Sequence, residues 1–350
     1  YRRMMGDEVC FVTGTDEHGT KIARAAVDAG MPTQQFVDGI AAKVAQLCER
    51  VNISNTDFIR TSDRARHWPA AHRIWLKMVA SGDLYKKAYE GHYCVGHEAF
   101  IKASELVDGL CLLHKSKPEL TREENWFFRL TNYTKKIKEN IESGRMRIVP
   151  ETRVGEIMNL LDDAEDVSFS RPSAQLSWGI PVPDDDTQTM YVWADALTNY
   201  ISALGYGLAP SALAPSPLTP NNLMSVYWPA DVHLIGKDIT RFHAIFWPAM
   251  LMSAGLEVPK HIYIHGFITV DGEKMSKTLG NVVDPFELLD RYPIELIRYF
   301  MLRELRSTDD SDFSYKNLES RYTTDLANGL GNLVQRVATL IATTQKGVVP

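Results

Sequence analysis

Four stretches of this chain share one design: an apolar run, a short polar or glycine-bearing turn, then a helical pattern. They are VCFVTGTDEHGTKIARAA, TMYVWADALTNYISAL, VHLIGKDITRFHAIFWPAMLM and HIYIHGFITVDGEKMSKTLGN. Continuous apolar strands that feed helices are βα units of a parallel sheet covered on both faces. The fold class expected is α/β, a Rossmann-like parallel sheet. In such sheets ligands sit beyond the carboxyl ends of the strands, so the polar residues of these turns come first in the search for chemistry. The first unit stands apart from the other three, and the interval is turn-rich and β-rich from about Tyr89 to Asp184. The economical account is a sheet split by an insertion. Residues 1–60 and 188–266 form its two halves, and 61–187 a helical linker plus an inserted domain. The proline-rich GYGLAPSALAPSPLTPNN forbids a regular helix or a central strand and reads as a surface loop.

A formal charge of −6 argues against a nonspecific coat for nucleic acid. It leaves room for local basic surfaces such as RLTNYTKKIKENIESGRMRIV, which read alone is a solvated helix face. No apolar run reaches the ~18 residues of a membrane span. The first residues, YRRMMGDEVC, lack a secretory h-region. Cys10, Cys48, Cys94 and Cys111 are too scattered for a disulfide framework, which fits a reducing cytoplasm. Both ends look cut: the start feeds straight into an apolar strand, and LANGLGNLVQRVATLIATTQ is an amphipathic helix without a partner after it.

The fourth unit ends in DGEKMSKTLGN, with Lys274 and Lys277 three residues apart between Gly272 and Gly280. Two ammonium groups so spaced can converge on one polyanion, and glycine lets such a loop hold more than one backbone state. A solvated hairpin tip is the plain alternative from composition. The segment DGEKMSKTLGNVVDP closely resembles the KMSKS signature of class I aminoacyl-tRNA synthetases. That resemblance implies a loop, Lys274, Met275, Ser276, Lys277 and Thr278, that binds ATP phosphates and stabilises the transition state of adenylation. Gly236 and Asp238 of LIGKD are expected to join the nucleotide site.

TGTDEHG resembles the methionyl-tRNA synthetases of that class, and implies that Asp16 meets the α-amino group of methionine. Trp193, Ala196, Leu197 and Tyr200 recur at helical spacing, as do Ile239, Phe242, His243 and Trp247. Periodicity alone makes such stripes core, but their aromatic density suits a thioether. The resemblance implies that these residues line the methionine pocket; Leu197 departs from it, since several relatives carry proline there. Arg171 matches the arginine set near the substrate carboxylate. Cys94-x-x-His97 and Cys111-x-x-His114 look like a zinc knuckle with one thiolate replaced by His97. Many members have lost the metal, so zinc stays open.

The resemblance covers nearly the whole chain. Residues 267–322 match the lysine loop and stem-contact region, and 323–350 the start of an α-helical anticodon-binding bundle. The second class signature, His-x-Gly-His, does not occur in the sequence; family order places it just ahead of Tyr1. The implied reaction consumes methionine and Mg2+·ATP and charges tRNA(Met), by a monomer expected to act in the cytoplasm, with this stretch alone inactive. Two rivals are another class I synthetase, such as the cysteinyl or leucyl enzyme, and a noncatalytic tRNA-binding relative.

Overall fold

The computed structural model describes residues 1–95, 99–101, 106–113, 115–208, 223–270, 272–275 and 280–349. They divide into two compact units, one of Tyr1–Cys48 with Ile53–Ile264, the other of Glu49–Asn52 with His265–Pro350. The fold is α/β and Rossmann-like. No helix among the described residues is long and apolar enough to cross a membrane.

In the first unit, strand Val12–Thr15 runs parallel to Asp57–Arg60, with helices Thr20–Asp28 and Thr33–Arg50 between them in sequence. Gly14 lies opposite Ile59 in this pair. A Cβ there would stand 1.8 Å from the Ile59 carbonyl oxygen, so only glycine allows this approach. Strand His261–His265 pairs with His233–Gly236 on one side and, in parallel, with Arg147–Val149 on the other. Arg147–Val149 lies within the segment that sequence reasoning gives to the insertion, yet it pairs in parallel with His261–His265, a strand of the expected split sheet. Three residues at the exit of a basic helix carry too little pattern to announce a strand.

The β-rich interval is antiparallel. Leu84–Cys94 and Glu119–Phe128 form its long central pair, flanked by Ala99–Ile101 and Val167–Ser168. A smaller sheet sets Asp185–Met190 between Ser170–Pro172 and Pro181–Val182, antiparallel to both, so the strand of the second βα stretch does not join a parallel sheet as its apolar run suggests. Helix Trp68–Ala80 buries Ala71, Ile74, Trp75 and Met78, one face at i, i+3, i+4 and i+7. One core joins that face to Phe128, Phe169, Tyr191 and Trp247, so the base of the antiparallel sheet and the parallel strands share their packing. Cys94 and Cys111 sit apart in a satellite cluster with Ile101.

In the second unit, Ile268–Val270 pairs antiparallel with Glu273–Lys274 and parallel with Ser311–Phe313. Helices Pro285–Arg291, Ile294–Arg303 and Tyr315–Arg321 cover it through Leu288, Leu296, Ile297, Phe300 and Leu318. Asp284 and Ser314 cap the first and last of these by accepting the Phe286 and Asn317 amides. Arg50 pairs with Asp290, and Arg298 donates to the Val51 carbonyl, which ties the 49–52 segment to this unit. A π-helical stretch Tyr322–Gly331 leads into helix Asn332–Thr344.

Gly14→Ala must part the first two strands or move the turn that follows them. Denaturant unfolding should show a loss of at least about 1–3 kcal/mol, the range for overpacking against a fixed neighbour.

Candidate active site

The turn after strand Val12–Thr15 is held by its middle residue. Glu17 is 2% exposed, and its carboxylate accepts Arg60 Nε at 2.7 Å, Arg60 Nη2 at 2.9 Å and Thr15 Oγ1 at 2.6 Å, together with the Ser62 hydroxyl. The Glu17 hydrogen bond holds the Arg60 guanidinium above its ordinary range, against burial and with help from Asp38. Trp178 donates its indole N–H to the Glu17 carbonyl at 2.6 Å. Asp16 stands exposed one residue earlier, and His18 is buried one residue later.

His18 leads to an arrangement that sequence reasoning misses. Its Nδ1 lies 2.6 Å from Asp195 Oδ2, while His67 Nε2 lies 2.7 Å from Asp195 Oδ1. His67 Nδ1 in turn lies 2.9 Å from the Ser202 hydroxyl. Burial disfavours both charges, yet the net shifts run the other way: Asp195 raises the His18 pKa, helped by Asp16 and Glu17, and the two histidines lower that of Asp195. The partners come from separate segments, so no local spacing could reveal them.

The two aromatic stripes meet. The Trp193 ring stacks on Phe242 with centroids 3.8 Å apart and an interplanar angle of 7°, and meets the edge of His243 at 6.1 Å. Tyr200 lies 2.7 Å from His243 Nε2 and 6.1 Å, ring to ring, from Trp247. Ala196 and Leu197 are buried beside Trp193 in sequence, and Ile239 is half-buried. Phe242–Phe246 is π-helical, and such wide turns concentrate at functional sites. Two further rings belong here that the stripes do not contain. His233 stacks on Tyr200 at 3.9 Å, and Trp228 packs on both His233 and Trp247. His233 sits in an apolar strand, where no local pattern singles it out.

The hydrogen bonds fix both tautomers. His243 Nδ1 lies 3.0 Å from the Ile239 carbonyl, which only accepts, so Nδ1 carries the proton and Nε2 accepts from the Tyr200 hydroxyl. The Trp247 indole only donates, so His233 Nε2 accepts from it at 3.0 Å. Burial pushes His233 down to about 3, with His243 adding to the effect, and pushes His243 down to about 4 against its backbone bond. Burial also raises the Tyr200 hydroxyl. The cluster is therefore uncharged at neutral pH.

Arg171 is 4% exposed, with Nη1 bonded to the Ser170 carbonyl at 2.7 Å and the Ser168 hydroxyl at 2.9 Å. Its guanidinium lies over the rings of Tyr93 and Tyr191. Gly236 ends its strand, and Asp238 is exposed in the 3-10 turn Lys237–Ile239. Lys274 pairs with Thr269 through its backbone, and Met275 is half-buried. The Lys274 side chain, Ser276, Lys277 and Thr278 lie outside the described residues, as do His97 and His114. Among the described residues no three His, Cys, Asp or Glu side chains group as metal ligands.

The sequence profile of the tRNA synthetases class I (M) matches residues 1–111 and 99–338. The chain belongs to that family. It is 46% identical over 352 residues to the methionine–tRNA ligase of Caldanaerobacter subterraneus subsp. tengcongensis, covering 100% of this chain and 53% of the relative. Against the methionine–tRNA ligase of Brucella suis it is 44% identical over 355 residues, covering 100% of this chain and 66% of the relative. The chain thus spans between half and two thirds of these relatives. Among solved structures it superposes on Mycobacterium tuberculosis methionyl-tRNA synthetase bound by methionyl-adenylate with a TM-score of 0.91 and 42% identity. That match covers 100% of this chain and 67% of the other. The apo form of the same enzyme matches with a TM-score of 0.79 and 36% identity, over 97% and 71% of the two chains.

The neutral histidines make a family member of this build acid-sensitive. Both have folded pKa values below the ordinary 6.5, so the unfolded chain binds more protons between about 6.5 and 4. Their effect is to lower stability as pH falls through that window, by at most about 1.4 kcal/mol per pH unit for each histidine. His233→Gln keeps an acceptor for Trp247 but cannot titrate. Urea unfolding across that window should show a flatter dependence in the variant.

Proposed function

We propose that the protein activates methionine with ATP, forming methionyl-adenylate and pyrophosphate, and passes the methionyl group to the terminal ribose of tRNA(Met). The observation that carries this reading is the uncharged aromatic cluster of Trp193, Tyr200, Phe242, His243 and Trp247 on the same unit as Asp16. A thioether gains from ring contacts and has no hydrogen to donate. Tyr200 directs its proton to His243, so neither residue seeks a polar partner from the ligand. Asp16 supplies the anion for the substrate ammonium, on a turn whose direction Glu17 and Arg60 fix. For the carboxylate end the proposal retains Arg171, whose Nη1 bonds to Ser168 and Ser170 set the plane of the guanidinium.

The carboxylate oxygen of methionine attacks the α-phosphorus of ATP, and the bond to the bridging oxygen breaks to release pyrophosphate. Mg2+ enters with the nucleotide as part of the substrate. Lys274 and Lys277, with Met275, Ser276 and Thr278 of the same motif, are assigned to the ATP phosphates. Gly236 and Asp238 are assigned to the nucleotide. The transition state is stabilised by positioning and by charge, with no covalent enzyme intermediate. Zinc held by Cys94, His97, Cys111 and His114 is kept as a structural proposal, supported by the shared burial of the two cysteines, and no step runs through it. The assigned compartment is the cytoplasm and the assigned state a monomer.

Methionine-dependent ATP–pyrophosphate exchange on the full-length protein tests the reading. Lys277→Ala should slow exchange by about 100-fold or more while methionine binding changes only a few-fold. Asp16→Asn should weaken methionine binding itself. Exchange supported by leucine or cysteine in place of methionine, or by no amino acid, would overturn the assignment.

A further inference from the structure

We propose that Asp195 is a positioning residue of the amino-acid site, tying the turn that carries Asp16 to the helices that carry the aromatic wall. This rests on the methionine-activating reading above. Asp195 lies within helix Val192–Ala196, two residues after Trp193, and is 1% exposed. Both its oxygens are used inside the protein, Oδ2 on His18 and Oδ1 on His67. Three elements meet at this carboxylate, and a fourth is tied in through His67. His18 belongs to the Asp16 turn, and His67 immediately precedes helix Trp68–Ala80. Asp195 belongs to the first pocket helix, and Ser202, bonded to His67, belongs to the second, Asn199–Ser202.

The two helices that carry the rings have 5 and 4 residues and are joined through Leu197 and Thr198, whose backbone is also helical. A helical stretch of this length is marginal by itself, because its first turn fixes several dihedrals for a single hydrogen bond. Their orientation must come from side-chain links, and the Asp195 pair of bonds is the buried link that reaches the opposite wall. The His18 ring is also gripped edge-on by Trp178 at 5.5 Å and Trp68 at 6.2 Å. Trp178 bonds the carbonyl of Glu17, so the turn is held from both sides. A buried carboxylate that served only to fill the core would be a costly choice beside an apolar residue of the same size. Here it fixes the distance between the ammonium partner and the thioether wall.

The test uses the full-length protein and the KM values for methionine and ATP in pyrophosphate exchange. Asp195→Asn should raise the methionine KM by about 10- to 100-fold, as expected for a small misplacement of a binding group, with the ATP KM within about threefold. His18→Asn and His67→Gln each keep a donor at the bonding position, and should retain methionine KM within about threefold. His18→Phe, which keeps the ring but no donor, should not. Because Asp195 acts through Asp16, Asp195→Asn combined with Asp16→Asn should cost little more than Asp16→Asn alone. Additive losses, equal rises in both KM values, or a His18→Phe enzyme with unchanged methionine KM would overturn the proposal. A wild-type protein without methionine-dependent exchange would instead overturn the reading on which it rests.

Discussion

A carboxylate inside a protein needs a partner, and Glu17 has one whose position organises much of the first unit. The two-pronged bond from Arg60 links the end of one parallel strand to the turn after its neighbour, beside the Gly14–Ile59 pair where only glycine fits. An unpaired carboxylate there would cost several kcal/mol, so the pairing and the strand register stand or fall together. The turn between strand and helix thus has little freedom left. Asp16 is exposed on a turn that the Arg60 and Trp178 bonds to Glu17 hold from both sides.

The aromatic cluster solves the opposite problem, how to keep polar groups among aromatic rings without charge. Each imidazole has a fixed tautomer because one nitrogen faces a group of a single hydrogen-bonding kind, a carbonyl for His243 and an indole for His233. Burial then keeps both rings neutral. The π-helical Phe242–Phe246 belongs to the same solution: its wider turn lets Phe242 stack on Trp193 while His243 reaches Tyr200.

The sequence made some of this legible and concealed the rest for physical reasons. Long apolar strands with helices behind them declare themselves, and Val12–Thr15, His233–Gly236 and His261–His265 are of that kind, the last with Arg147–Val149 as its parallel partner. Yet Arg147–Val149 itself is three residues long and reads as the tail of a basic helix. The stripes of Trp193 and Phe242 are visible by period, but period cannot tell a core from a pocket; their face-to-face stacking is a tertiary fact. His18, His67 and Asp195 lie far apart along the chain, and their meeting depends on the fold. The lysine motif was legible only by resemblance, since two lysines in a glycine-flanked loop have no unique physical meaning.

These differences share a cause. Local patterns report what a segment buries, whereas a site is defined by what several segments present to one point. In this chain the elements around the Asp195 network and the aromatic rings are short or irregular: a one-residue gap between strand and buried Glu17, a brief helical run in two pieces, and a π-turn. Their conformations are imposed by side-chain bonds from elsewhere. A substitution that spares every ring of the cluster but breaks one of those bonds can therefore change how the rings are set as surely as a change to the rings.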